Sequence, residues 1–380
     1  MTWLGDQLGR IADEMPQRDL GARAMERYQR RRRNRIAFAA AATVVVTLLA
    51  ATVGVRALPT ERQPAVGPTL PVERPTTEPA ERPTEVLERP TIKVGMLPTV
   101  ESAVLPVAQR MGYFEEEGLN VLPVFVSGSA AAAPLLAQGL LDLAQLDYAT
   151  VLEANEQGKD LRIAAASHQA APGTLALVVN ATSKVRTVAD LKGKRIAVTT
   201  FGTVPLLALT ALLERAGLTR KDVVLAETTY PQMLGAMKQG RFDAALLAEP
   251  FVTAGRQEGL IRVVADAMTG DFANLQTSGM TATERWIARN PRTLAAFLRA
   301  LGKARRLVAA DPEHAHAVLP TYTRLPQYTR ISEGAGGKAV LGSYPGKVDL
   351  AHLRRIAALA HAQGLLDRLP DPAASVAKTK

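Results

Sequence analysis

The chain has 380 residues, 47% of them hydrophobic, a net charge of +10 and no cysteine. That length accommodates two domains of ordinary size plus extensions. The lack of cysteine excludes disulfides, thiolate metal sites, a Cys nucleophile and a lipid-modified Cys, and five scattered His residues give metal chemistry little support. His314 and His316 stand two apart in a helical stretch, so they point to different faces.

Residues 1–35 carry nine Arg against five acidic residues. The run Arg30 to Arg33, with Arg35, directly precedes "IAFAAAATVVVTLLAATVGV", twenty residues without a charge. That span matches the length of a membrane-crossing helix, and basic residues before it fix that side in the cytoplasm. Val55-Arg56-Ala57 loosely fits a cleavage site, but a signal h-region runs only about 7–15 residues. The reading is a cytoplasmic tail (1–35) and an uncleaved signal anchor (36–55), with the membrane as a partner and no role in nucleic-acid binding.

Residues 56–90 repeat Glu-Arg-Pro-Thr at 73–76, 81–84 and 88–91, and eight of the 24 prolines lie between Pro59 and Pro90. Proline at this density, with few large apolar residues, favours extended polyproline II over a core. The segment reads as a disordered linker, able to hold a domain up to ~100 Å from the membrane.

From Thr91 short β-rich runs alternate with helical ones. "TIKVGML", "NVLPVFV", "LDLAQL" and "LRIAAAS" read as strands separated by helices, and "KRIAVTT", "VVLAETT", "FDAALLA" and "IRVVAD" repeat the pattern. This alternation predicts parallel α/β architecture. An internal copy is visible: Gln138-Gly139-x-x-Asp142-x-Ala144 recurs as Gln239-Gly240-x-x-Asp243-x-Ala245. In each copy the Gly suits the left-handed cap of a helix, and the Asp leads into a buried strand. Two similar lobes in tandem imply a cleft, and loops at the carboxyl ends of parallel strands are where such sheets hold ligands. In "LKGKRIAVTTFGTVPLLALTALLERAGL", Thr203 is the predicted N-cap of a helix with Pro205 in its first turn. Ser127-Gly128-Ser129 is its counterpart in the first lobe.

"TIKVGMLPTVESAVLPVAQRMGYFEEEGLNVLPVFVSGS" resembles the first lobe of the substrate-binding proteins of ABC importers for sulfonates, nitrate, taurine and thiamine-pyrimidine precursors. "DLKGKRIAVTTFG" and "FDAALLAEPF" resemble the second. The resemblance spans roughly Thr91 to Asp311 and implies a type II periplasmic-binding fold: two α/β lobes, 91–175 with 278–380 and 176–277, joined by a two-strand hinge. The expected crossovers are near Gly173 to Val179 and Asp271 to Thr281. It also implies a monomer without cofactor or enzymatic activity, whose partners are a small-molecule ligand, an ABC permease and its ATPase. The alternatives are a membrane-tethered solute sensor and a pyrimidine-synthase-like enzyme on the same fold.

The candidate ligand-binding residues in the first lobe are Thr99, Glu101, Ser127, Gly128, Ser129, Asp147, Tyr148 and Ser167, with His168 beside it. In the second they are Thr200, Phe201, Gly202, Thr203, Tyr230 and Glu249. Helix capping by Ser127 to Ser129 or by Asp147, and a structural hydrogen bond of Glu249 beside Pro250, are alternative roles. Helix N-termini after Ser129 and Thr203 favour an anionic group, whereas Glu101 and Asp147 repel one. A zwitterionic or amine-bearing solute, such as an aminosulfonate, reconciles the two. "ISEGAGGKAV" fails as a phosphate loop because Ser332 stands at the first Gly position and Ala339 where the metal-binding hydroxyl belongs.

Overall fold

A computed structural model describes residues 86–323 and 338–378. The tail 1–35, the apolar span 36–55, residues 56–85 of the linker and most of "ISEGAGGKAV" lie outside the described residues. Among the described residues, no helix is long and apolar enough to cross a membrane.

Two five-stranded sheets organise the chain. The first contains β1 (Thr91–Met96), β2 (Asn120–Phe125), β3 (Leu143–Asp147), β4 (Leu161–Gln169) and β10 (Gln276–Thr283), in the order β2-β1-β3-β10-β4. The second contains β5 (Leu175–Asn180), β6 (Arg195–Val198), β7 (Val224–Glu227), β8 (Ala244–Ala248) and β9 (Ile261–Asp266), in the order β7-β6-β8-β5-β9. The chain leaves the first sheet after Gln169 and returns to it at Gln276.

The sheets are mixed, not parallel throughout. β1 runs parallel to β2 and β3, and β6 to β7 and β8, but β10 is antiparallel to β3 and β4, and β5 is antiparallel to β8 and β9. The two exceptions are the strands that enter each sheet from the other one. No α-helix lies between them and the strand before, only a loop or a single 3-10 turn (Gly270–Phe272), so they lack the helical crossover that parallel neighbours need.

The sequence repeat has a structural counterpart. Gly139 and Gly240 adopt left-handed φ values of 71° and 69° at helix ends, as expected of helix-terminating glycines. The Asp142 carboxylate then accepts the Lys93 N–H at 2.8 Å, and Asp243 accepts the Arg195 N–H at the same distance. Each Asp therefore pins the start of one strand to its neighbour, β3 to β1 and β8 to β6.

The helices cover the sheets. In the first half they are α1 (Val104–Arg110), α2 (Tyr113–Glu116), α3 (Ser129–Ala137) and α4 (Tyr148–Glu156). In the second they are α5 (Val204–Arg215), α6 (Tyr230–Lys238) and α7 (Phe251–Gln257). After β10 come α8 (Glu284–Arg289), α9 (Pro291–Ala310), α10 (Glu313–Thr323) and α11 (Leu350–Ala362). α9 buries Leu294, Phe297, Leu301, Ala304 and Val308, an apolar stripe at helical spacing, and packs on α1 and α2. α11 packs on α4 and also reaches α5.

The last linker repeat is docked, contrary to its expected disorder. The Glu88 carboxylate accepts the N–H groups of Arg292 and Thr293 at 3.2 and 2.9 Å, at the start of α9. Arg89 donates to Asp142 at 2.6 Å. Free N–H groups in a first helical turn attract a carboxylate, and that outweighs the extended preference of the flanking prolines.

Candidate functional site

The carboxyl ends of β1, β3 and β6 converge on a cavity between the two sheets. Its free volume is about 40 Å³, and its walls include Leu97, Thr99, Glu101, Gly128, Ser129 and Asp147 from the first half and Thr199, Thr200, Thr203 and Tyr230 from the second. A space of that size admits only a few water-sized groups, so the lobes stand closed and a larger ligand enters by parting them. Hydrogen bonds beside the cavity join the two lobes. Val100 N–H donates to Glu249 O at 3.0 Å, Val204 N–H to Asp147 Oδ1 at 3.1 Å, and Thr150 Oγ lies 3.1 Å from Gly202 O.

Of the fourteen sequence candidates, Thr99, Glu101, Gly128, Ser129, Asp147, Thr200, Thr203 and Tyr230 line this cavity. The other six do not. Ser127 lies in an adjoining groove beside Phe125 and Pro231. Tyr148 is fully buried in the first lobe, its hydroxyl 3.3 Å from Gln276 Oε1. Ser167 is buried in β4, while His168 reaches the cavity; successive strand residues point to opposite faces. Phe201 donates its N–H to Glu227 Oε1 at 3.0 Å. Gly202, at φ 74°, forms the turn before α5 and faces Glu153 and Leu365. Glu249 turns back on α7, accepting Thr253 N–H at 3.0 Å and Thr253 Oγ–H at 2.7 Å, which is the structural role.

The structure bears out His168 as a wall residue and adds Gln145, Thr174, Thr277 and Ser278. Gln145 had a legible signal, a polar side chain inside an otherwise apolar strand. It is fully buried and bridges Ser102 Oγ and Ser278 Oγ at 2.8 and 3.2 Å. His168 Nε2–H donates to Leu341 O at 2.8 Å. Thr277 and Ser278 had no signal, because they reach the cleft only through the insertion of β10 beside β3.

The expected free helix N-termini are partly filled by the chain itself. Thr203 caps α5, accepting Leu206 N–H at 3.4 Å, with Pro205 in the first turn. Asp147 caps α4 through Thr150 N–H at 3.1 Å and takes Val204 N–H of α5 as well. Its own N–H donates to Ser129 Oγ at 3.0 Å. Burial pushes the Asp147 carboxyl up to about 6, against the downward pull of hydrogen bonds from Thr150, Val204 and Ser129. Burial first, and the nearby Glu101 carboxylate second, raise the Tyr230 phenol.

Among the described residues, no Lys or Arg lines the cavity and no ion pair involves Glu101. The hydroxyls of Thr99 and Thr200, on opposite walls, are buried without a hydrogen-bond partner. An unpartnered buried hydroxyl is costly, so two of them facing one cavity suit a ligand that hydrogen-bonds to both. The described residues of the wall therefore offer hydroxyls, an amide and two carboxyl groups, but no fixed cation.

Comparison with known proteins bears on the fold and the family. The riboflavin-binding protein RibY of Chloroflexus aurantiacus is 26% identical over 256 residues, covering 65% of this chain and 70% of that protein. A putative aliphatic sulfonates-binding protein of Escherichia coli is 28% identical over 155 residues, covering 41% of this chain and 47% of the relative. The alkanesulfonate-binding protein SsuA of Xanthomonas axonopodis pv. citri, solved with bound MOPS, superposes with a TM-score of 0.64 at 22% identity, covering 77% of this chain and 99% of that one. Each of these three is named for binding a small molecule. The NMT1/THI5-like family model matches residues 99–315, and the chain belongs to that family.

Proposed function

We propose that this chain captures a small, amine-bearing organic solute outside the cytoplasm and delivers it to an ABC permease and its ATPase. The observation that carries the solute class is the cavity wall: Glu101 faces the cleft with hydroxyls around it, and among the described residues no Lys or Arg lines it. A simple anion such as nitrate would meet the Glu101 carboxylate with no countercharge beside it. An ammonium group pairs with a carboxylate, and the free hydroxyls of Thr99 and Thr200 hydrogen-bond the remainder of the molecule. An aminosulfonate is one such solute.

A thermal-melting panel of taurine, a simple alkanesulfonate, nitrate, small amines and pyrimidines tests this reading. A solute that binds only the native state stabilises it by about 2.7 kcal/mol at a hundredfold excess over Kd. Amine-bearing solutes are expected to raise the melting temperature and nitrate to leave it unchanged; the reverse order would contradict the assignment. Glu101→Gln is expected to weaken the stabilising solute about thirtyfold, since breaking a desolvated ion pair costs ~2 kcal/mol. Unchanged affinity would show that Glu101 does not touch the solute.

The same reading places residues 36–55 across the cell membrane as a single-pass anchor, with the binding lobes outside. Protease added to spheroplasts is expected to release a fragment beginning between residues 58 and 87, upstream of the docked Glu88. Protection of the lobes until lysis would overturn the topology.

A further inference from the structure

The contact between Asp147, Thr150 and the second lobe has a hydrogen-count problem. Thr150 Oγ lies 2.6 Å from Asp147 Oδ2 and 3.1 Å from Gly202 O. Both oxygens accept when the carboxylate is ionised, yet a threonine hydroxyl has one hydrogen to donate. Either the carboxylate or the Gly202 carbonyl is then left short. A proton on Oδ2 resolves this: Oδ2–H donates to Thr150 Oγ, Thr150 Oγ–H donates to Gly202 O, and Oδ1 still accepts Val204 N–H. All three bonds then exist together, and two of them join the lobes.

We propose that Asp147 and Thr150 form a proton-operated latch, in which closing the lobes takes up one solvent proton on the Asp147 carboxyl and losing that proton favours the open cleft. The latch rests on reading the inter-lobe cleft as the binding site, and it governs that site's closure without reference to the solute.

The surroundings support a proton and not a cation at this position. Around Asp147 stand Ser129 of α3, Ser278 opposite it on β10, and Thr203 and Val204 at the start of α5. The titratable groups facing the same space are Tyr230 of α6, Glu101 after β1 and His168 of β4. Glu153, one helical stretch on in α4, approaches Gly202. Among the described residues, none that lines the cavity is Lys or Arg.

The sign follows from where the proton binds more tightly. In the closed form burial raises the Asp147 carboxyl from 3.8 to about 6; in an open, hydrated cleft it returns toward its ordinary value. Closure therefore gains from acidification between about pH 6 and pH 4, and gains nothing above that window, where both forms are ionised. From pH 7 to pH 5 the closed-to-open ratio rises roughly tenfold.

The chain has no native cysteine, so a spin-label pair can be placed by Leu122→Cys and Val224→Cys. Both residues are exposed, on β2 and β7, the sheet edges farthest from the crossover strands. Pulsed electron-electron distance measurements on the full-length, solute-free chain at pH 7 and pH 5 read the closed fraction. In the otherwise unaltered pair the short distance is expected to gain roughly tenfold over the long one at pH 5. Asp147→Asn, whose amide donates without titrating, is expected to be closed at both values, and Thr150→Val, which removes the donor to Gly202 O, to be less closed than the unaltered pair at pH 5. The same pH response in Asp147→Asn would move the switch to another group, His168 included, and overturn the latch. No response in the unaltered pair would overturn it as well. Because no solute is present, neither outcome bears on the solute assignment, which the melting panel decides separately.

Discussion

Gly128→Val is expected to weaken solute capture about 10- to 100-fold while leaving the fold intact. Gly128 has extended backbone, φ 171° and ψ 166°, which any residue adopts, so the substitution does not strain its own chain. The obstacle is across the cleft: a Cβ at this position would lie 2.9 Å from Thr200 Cγ2 and 3.0 Å from Thr200 Oγ1. A branched side chain there acts as a wedge between the lobes. Forcing extra carbon atoms into a packed contact costs about 1–3 kcal/mol, and a protein that binds in its closed form loses affinity in proportion to the closed fraction. Isothermal titration with the solute that stabilises the unaltered chain measures the loss. Undiminished affinity would mean that the contact between Gly128 and Thr200 is absent from the solute-bound form.

Phe297→Ala is expected to have the largest effect on stability. Phe297 in α9 stacks on Phe114 in α2 with ring centroids 5.5 Å apart and an interplanar angle of 8°, and both rings are fully buried. Removing a buried aromatic ring costs about 3–5 kcal/mol, combining lost transfer energy with the cavity left behind. For a domain of this size that lowers the melting temperature by roughly 10 °C. The damage stays in the first lobe, where Arg299 and Lys303 of α9 also hold Glu117 at 2.8 and 3.0 Å. Solute affinity below the transition is therefore expected to persist. A shift of less than about 3 °C would show that the α2–α9 contact contributes little to the folded state.

The sequence by itself determined the alternation of strands and helices, because hydrophobic period and turn chemistry are local properties. It also determined the helix-ending glycines and the paired Asp142 and Asp243, which act through chain neighbours and one adjacent strand. The capping role of Thr203 was legible for the same reason. Several decisions were left to the tertiary structure. Whether Tyr148 or Asp147 faced the cleft depended on how α4 turned away from β3, and the large ring went to the core while the carboxylate stayed at the helix start. Glu249 was drawn to Thr253 by the first turn of α7, a pairing that competes with any ligand contact. Thr277 and Ser278 reached the cavity because β10 returns from the second lobe to lie beside β3, 131 residues later in the chain for the pair Ser278 and Asp147. Most decisively, Asp147 of one lobe met Val204 of the other. No local pattern encodes a hydrogen bond across a closing cleft, since its energy exists only when two separately folded lobes come into contact.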